Sequence, residues 1–500
     1  MQQPGAALPR PGFSLLHTRN QGDGRMKTIG RYAILGLLGR GGMGAVYKAA
    51  MPRTGRVVAV KVLRPAEQLA ATADQGALRR DFFREAALMA AIRHPNIAQV
   101  LDVDETPGAG GSPDGTGLPF FVMEYYCNNL GSLLGEGYRV EEPTRRLGVE
   151  QSLSLARQLA SALARLHHAG ILHRDVKPFN LMLAERPPDT TTALPTDEVK
   201  LIDFGLSRLR GESGPARPRG ALVGSPYYAA PEQEQSPESA NERADVFSTG
   251  VTLFRCLTGH LPQEGIPASS LRAGLDERFD AFFASVCHDR PDHRPSTARA
   301  LLAELDGLSS HWARLRENVC ALPEEDSPPC ATVPLAGPLR SRPVRQPLAG
   351  AAERFGLDAL WRPRACDPER FAVSGQDGSA GVRPGLVRDR LSGLYWEQGG
   401  SPYGLDFAAA QARAERLAAE GRFGLSGWRL PTVEELATLL LPEPDLRQMC
   451  LPPAFDPSQR RIWSADRKSF VAAWYADVEH GFVWWQDLTC EFFVRCVSSE

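Results

Sequence analysis

Between residues 31 and 64 apolar and polar side chains alternate around glycine turns (RYAILGLLGRGGMGAVYKAAMPRTGRVVAVKVLR), which predicts antiparallel strands. Over residues 79–92 the period changes. Phe82, Phe83, Ala86 and Met89 recur at helical spacing, and Pro95 limits the helix. Strand patterns return at 98–103 and 120–125, separated by ETPGAGGSPDGTGLP, a hairpin insertion with no periodicity of its own. Beyond Gln151 helical patterns dominate, at 153–168, 244–257 and 276–286. A strand-rich part (31–126) thus passes into a helix-rich part (127–307) without a linker, the order expected of two lobes folded as one unit.

From residue 318 to 350 prolines become frequent and periodicity vanishes, so 308–365 reads as a helical end followed by a Pro-rich linker. Seven of the eight tryptophans lie beyond residue 360, which predicts a separate aromatic-rich domain over 366–498. Its short strands, at 387–398, 461–466, 472–485 and 492–497, bracket two helices, one over 406–420 and one opening at Thr432 with Glu434 and Glu435 near its N-terminus. Core packing accounts for most of the aromatics; a ligand surface is the alternative. Residues 1–30 lack the apolar segment of a signal peptide and read as a flexible tail. No run of about eighteen apolar residues occurs, so the expectation is a cytoplasmic chain with no membrane-spanning segment.

Composition changes this picture little. Of 500 residues 43% are hydrophobic and 23% charged, the balance of a globular protein, and 57 basic against 59 acidic residues give no reason to expect a nucleic-acid partner. The nine cysteines form no CxxC pair and no zinc spacing. Cys127, Cys256, Cys287, Cys320, Cys330 and Cys366 are isolated in sequence and read as thiols. Cys490 and Cys496 are close enough to bond, although a reduced pair suits a cytoplasmic chain better.

The chemistry is concentrated at four places. GRGGMGAV (39–46) is a Gly-x-Gly-x-x-Gly run flanked by strands on both sides, with no helix opening at its third glycine, and glycines let backbone N–H groups approach phosphate oxygens. Lys61, inside the following strand, is costly to bury without an anion, and Glu85 on the 79–92 helix is the candidate partner. HRDVKPFN (173–180) holds Asp175, Lys177 and Asn180, and LIDFGLS holds Asp203. Phosphoryl transfer needs one carboxylate near an acceptor hydroxyl and another on divalent metal, and Asn180 adds a neutral oxygen ligand. His173 and Phe204 read as support, since no serine or cysteine motif makes His173 a triad base.

In this order, with GSPYYAAPE at 224–232, these segments resemble the eukaryotic-like Ser/Thr protein kinase family over residues 31–307. The resemblance implies a bilobal kinase fold and transfer of phosphate from ATP, with Mg2+ or Mn2+, to serine or threonine on protein substrates. It implies that Asp175 orients the hydroxyl and takes its proton, that Lys177 steadies the moving group, and that Lys61 binds phosphate while pairing Glu85. Asn180 and Asp203 would hold metal. Gly39, Gly41, Gly44, Val46, Ala59, Met123, Glu124 and Tyr126 would surround the nucleotide, Met123 as gatekeeper and 124–126 as hinge. Asp245 would brace the catalytic loop and Glu232 would pair with Arg294. Two kinase chains would meet during autophosphorylation. A nucleotide-binding pseudokinase scaffold is the alternative.

Two departures stand out. The segment from Leu206 to Val223 has no threonine, so activation would use Ser213, another hydroxyl, or no loop phosphate, and Ser225 would be structural. ERPPDTTTALPTDEV (185–199) is a long surface excursion, read as a tolerated insertion.

LSGLYW, GWRLPTVEEL, Trp463–Ser464, WYADV and the closing VRCV resemble the Lcl C-terminal (DUF1566) family. That resemblance implies a mixed α/β domain related to C-type-lectin-like folds; the fold hosts several binding roles, so its function does not carry over, and the expectation for this domain is substrate recruitment or regulation. Many relatives bond a helix cysteine to the final-strand cysteine, but here the helix has none.

Overall fold

The computed structural model describes residues 27–499 except 41–43, 66–73, 108–116, 138–139, 186–196, 204–207, 210–226, 236–239, 320–338, 365–369, 374–384, 443 and 445–448. Gly41, Phe204, Ser213, Ser225, Cys320, Cys330, Cys366 and the tail before Lys27 therefore lie outside the described residues.

The alternating segment folds as β1 (Thr28–Ile29), β2 (Tyr32–Arg40), β3 (Gly44–Ala50) and β4 (Val57–Leu63). Helix α1 (Gln75–Ala91) buries Leu78, Phe82, Glu85, Ala86 and Met89, and the Asp74 carboxylate caps it by accepting from the Gly76 and Ala77 N–H groups. β5 (Val100–Glu105) and β6 (Pro119–Glu124) complete a six-stranded antiparallel sheet in the order β1-β2-β3-β4-β6-β5. Phe82 packs on Phe121 of β6, which fixes α1 against the sheet face that carries Lys61.

The chain then crosses through β7 (Asn128–Asn129) and α2 (Leu130–Leu134) into α3 (Val149–His168), the long helix at the centre of the large lobe. Short strands β8 (Ile171–Leu172), β9 (Leu181–Glu185), β10 (Asp197–Leu201) and β11 (Arg208–Leu209) frame the motif-bearing loops. The ends of the long excursion pair as a hairpin, Asp197 opposite Glu185. Around them pack α4 (Pro231–Gln235), α5 (Glu242–Thr258), α6 (Ala268–Leu271), α7 (Glu277–Val286) and α8 (Ala298–Val319). Apolar faces of α3, α5, α7 and α8 share one core that includes Leu153, Leu253, Phe279, Phe283 and Leu305.

From Leu339 onward, the stretch expected to be linker is part of the C-terminal domain. Arg340 pairs with Asp466 and Glu434, Val344 N donates to Asp466, and Trp361 stacks on Trp474 at 5.5 Å. Prolines hid this packing because irregular backbone carries no periodicity. The domain contains α9 (Ala351–Arg354), a four-stranded sheet of β12 (Phe371–Val373), β13 (Leu386–Asp389), β14 (Tyr395–Glu397) and β18 (Val497–Ser498), and the helices α10 (Phe407–Glu420) and α11 (Val433–Ala437). A second sheet runs through β15 (Arg461–Arg467), β16 (Ala472–Asp477) and β17 (Phe482–Asp487). Helix α11 opens at Thr432 as the sequence suggested, and Thr432 and Glu435 there form a reciprocal capping box. Trp396, Trp428, Trp463 and Trp474 are buried core residues rather than a ligand surface. The strand expected over 492–497 reduces to β18 and isolated bridges.

Candidate active site

Register places the small-lobe residues. Antiparallel pairing sets Val46 beside Lys61 on β4, and Ala59 beside Met123 on β6. Glu124 ends β6, and Tyr126 donates its hydroxyl proton to the Glu124 carboxylate at 2.6 Å. Gly39 has open space where a Cβ would stand, whereas a Cβ on Gly44 would fall 2.1 Å from the Val62 carbonyl oxygen. Gly44 is therefore required by close approach of β3 to β4, a packing reason that motif reading alone did not supply.

Lys61 Nζ donates to Glu85 at 2.7 Å and to Asp203 at 3.0 Å. Burial opposes the charge on Lys61, but the Asp203 and Glu85 carboxylates outweigh it and hold its pKa above the ordinary lysine value. One ammonium thereby joins three separate segments of chain. Glu85 is buried on α1, while Asp203 is more open, its side chain 43% exposed.

The loop after β8 is held from below by Asp245 of α5, a fully buried carboxylate. It accepts from His173 N at 2.9 Å, from Arg174 N at 2.7 Å and meets His167 Nε2 at 2.8 Å. Burial alone would raise its pKa; these contacts lower it instead, so it stays ionised. Arg174 and Asp203 both have φ of 67°, a left-handed conformation costing on the order of 1–3 kcal/mol for a residue with a side chain. The bond from Arg174 N to Asp245 fixes the first of these. His173 Nε2 reaches the Ile202 carbonyl at 3.1 Å, so it supports the segment before Asp203.

Above this floor, Lys177 Nζ lies 2.8 Å from Asp175 Oδ2, and Asn180 Nδ2 donates to the same oxygen at 3.0 Å and to the Asp175 carbonyl at 2.8 Å. Using its nitrogen inward turns the amide oxygen of Asn180 away from Asp175. Ile202 N donates to Asn180 O at 3.0 Å, which sets Asp203 one residue from the Asn180 backbone. A carboxylate and an amide oxygen are the donor types a hard divalent cation takes. Farther out, Arg294 grips Glu232 through two bonds, at 2.7 and 3.0 Å.

Just beyond Tyr126 lies what sequence reading missed. Cys127 is bonded to Cys490, which corrects the reading of Cys127 as an isolated thiol and of Cys490 as one of a reduced pair; Cys496 is free and meets Arg413 at 3.4 Å. A separation of 363 residues leaves no spacing signal for such a bond. Lys48 of β3 is buried and donates to Asp487 at 2.6 Å, and Gln486 donates to the Cys127 carbonyl at 2.6 Å. Asp197 accepts from Arg460 at 3.0 Å and from Arg461 at 3.1 Å, and His480 meets Gln151 of α3 at 3.0 Å. Arg145 stacks 3.7 Å above Phe482. The one available signal was the Arg460–Arg461 pair at the head of an apolar strand, which demanded buried anions.

Comparison with known proteins agrees with this architecture. The protein kinase domain model matches residues 32–315 and the Lcl C-terminal domain model matches residues 385–498. The chain is 32% identical over 290 residues to serine/threonine-protein kinase PknB of Mycobacterium leprae, covering 55% of this chain and 42% of that one. It is 37% identical over 294 residues to a probable serine/threonine-protein kinase of Streptomyces coelicolor, covering 55% and 40% respectively. The chain thus spans about two fifths of the length of these curated relatives. The solved kinase domain of Mycobacterium tuberculosis PknI aligns with 25% identity and a TM-score of 0.40, over 56% of this chain and 97% of that one. Since the kinase model takes in more than half of its residues and the motif-bearing loops meet in one cleft, the chain belongs to the protein kinase domain family.

Proposed function

We propose that the chain transfers the terminal phosphoryl group of ATP to serine or threonine hydroxyls of proteins. The observation that carries this reading is the single ammonium of Lys61 shared between Glu85 on α1 and Asp203 beside the catalytic loop. An amine so placed offers positive charge to phosphate while remaining fixed by a carboxylate behind it. Val46, Ala59 and Met123 would give the nucleotide an apolar wall, with Glu124 to Tyr126 at the adenine edge and Gly39 and Gly44 over the phosphates; Gly41, expected to act with them, lies outside the described residues. Asn180 and Asp203 would hold Mg2+, with Mn2+ as a substitute, and a cation there draws charge from the phosphate oxygens. Asp175 accepts the hydroxyl proton, and Lys177, already 2.8 Å from Asp175, stands where it steadies the transferring group.

The C-terminal domain recruits substrate or regulates activity, and its two antiparallel sheets with flanking helices support a kinship with C-type-lectin-like folds. No described helix is long and apolar enough to cross a membrane. Protein substrates, and a second kinase chain during autophosphorylation, are the expected partners.

The test incubates wild-type and Asp175→Asn protein with labelled ATP, magnesium and host lysate. Phosphoserine or phosphothreonine should appear with the wild type and fall by at least about 10²-fold in the variant. Equal labelling by both proteins, or nucleotide binding without transfer by either, would refute the assignment.

A further inference from the structure

The C-terminal domain touches both lobes and the segment between them. Lys48 anchors it to the small lobe, Cys127 and Asn128 anchor it just past the hinge, and Asp197, Gln151 and Arg145 anchor it to the large lobe. Phe482 and Trp484 pack on the same core as Leu155 and Leu159 of α3. Among the described residues one disulfide crosses this seam, a single residue beyond Tyr126. Where thiols are kept reduced, a disulfide of this kind serves sensing or catalysis more often than static support.

We propose that Cys127 and Cys490 form a thiol–disulfide switch that closes the C-terminal domain as a clamp across the hinge and thereby sets nucleotide affinity. The proposal deepens the regulatory reading of that domain given above and rests on it. Cys127 is the more exposed of the two residues, while Cys490 is buried with the Tyr125 hydroxyl 3.9 Å from its sulfur. Oxidation begins when the Cys127 thiolate attacks a small-molecule disulfide, forming a mixed disulfide and releasing one thiolate. The Cys490 thiolate then attacks the Cys127 sulfur and expels the second. Two electrons pass to the oxidant, and the two protons shed by the cysteines end on the two released thiols. A dithiol reverses the sequence and leaves both cysteines reduced. With the bond closed, the backbone beside the adenine edge is pinned from behind and Lys61 is paired with Glu85. With it open, the remaining polar contacts hold the domain more loosely and the hinge moves more freely, which weakens nucleotide binding.

The experiment uses the full chain, equilibrated with oxidised glutathione or with dithiothreitol, alkylated, and mapped by non-reducing peptide mass spectrometry. A linked peptide containing Cys127 and Cys490 is expected only in the oxidised sample. Affinity for the fluorescent analogue mant-ATP should be about fivefold or more higher in the oxidised protein. Cys490→Ser should remove that redox response, and Cys287→Ser should retain it. Absence of the linked peptide overturns the proposal, as does a redox response of equal size in Cys490→Ser. If Cys490→Ser does not fold, the wild type still decides, because equal mant-ATP affinity in its two redox forms refutes the switch. Peptide mapping and binding need no phosphotransfer, so failure of the switch and failure of the kinase reading give different results.

Discussion

Replacing Asp197 with asparagine tests the interface most directly, because the side chain is buried and faces two arginines whose own side chains are 3% and 1% exposed. At 3.0 and 3.1 Å each contact has a gross attraction of about 5 kcal/mol at an effective dielectric of about 20. Most of that offsets the desolvation of the ions, so the measurable quantity is the charge left unbalanced on removal. Among the described residues Asp197, Asp477 and Glu479 face Arg460, Arg461 and His480, so Asp197→Asn takes one negative charge out of the buried cluster. Breaking a buried pair from one side typically costs about 3–5 kcal/mol, and since each arginine keeps another carboxylate, about 3 kcal/mol is expected. Urea unfolding followed by tryptophan fluorescence reports chiefly on the C-terminal domain. With m of about 1–3 kcal/mol/M, its transition should move down by about 1 M or more. Asp306→Asn is the control, since its pair with Arg157 is half-exposed on both sides and should contribute no more than about 1 kcal/mol. A shift for Asp197→Asn no larger than for Asp306→Asn would refute the argument.

The same cluster gives the stability of the whole protein a pH profile. Burial disfavours the charge on His480, but Asp477 and Glu479 outweigh it and raise its pKa, so its contribution is complete below about 6.5 and is lost as pH rises through the higher folded value. Asp197 and Asp477 are lowered against their burial, by Arg460 and Arg461 and, for Asp477, by His480 first; they stabilise above about pH 4 and lose that effect as pH falls. The melting temperature should therefore peak in mildly acidic solution, and His480→Gln should flatten the alkaline side; an unchanged alkaline limb would exclude the histidine, which faces Asp477, Glu479, Arg460 and Gln151. Asp245→Asn weakens the supports of His173, Arg174 and His167, so kcat should drop by about 10²-fold or more while mant-ATP affinity changes little. Lys61→Met should lower kcat/KM for peptide phosphorylation by about 10²-fold or more, and parental activity would remove it from the mechanism.

Local order carried the cleft into the sequence, and the absence of local order concealed the seam behind it. HRDVKPFN places Asp175, Lys177 and Asn180 within one short turn, so their contacts are fixed by neighbours in the chain. Lys61 and Glu85 lie far apart, yet a strand and a helix of regular period delimit where each can point, and a buried lysine demands an anion. Cys127, Lys48, Asp197, Arg461 and Asp487 obey no such constraint: each looks like an ordinary residue until another domain is laid against it. The excursion over 185–199 shows the consequence. Its polar, proline-rich composition reads as tolerance of added length, but near its close stands Asp197, whose carboxylate accepts from Arg460 and Arg461. Tolerance of a loop's length thus gives no measure of the energy vested in the residue that closes it, because the first depends on chain entropy and the second on what the neighbouring domain has buried.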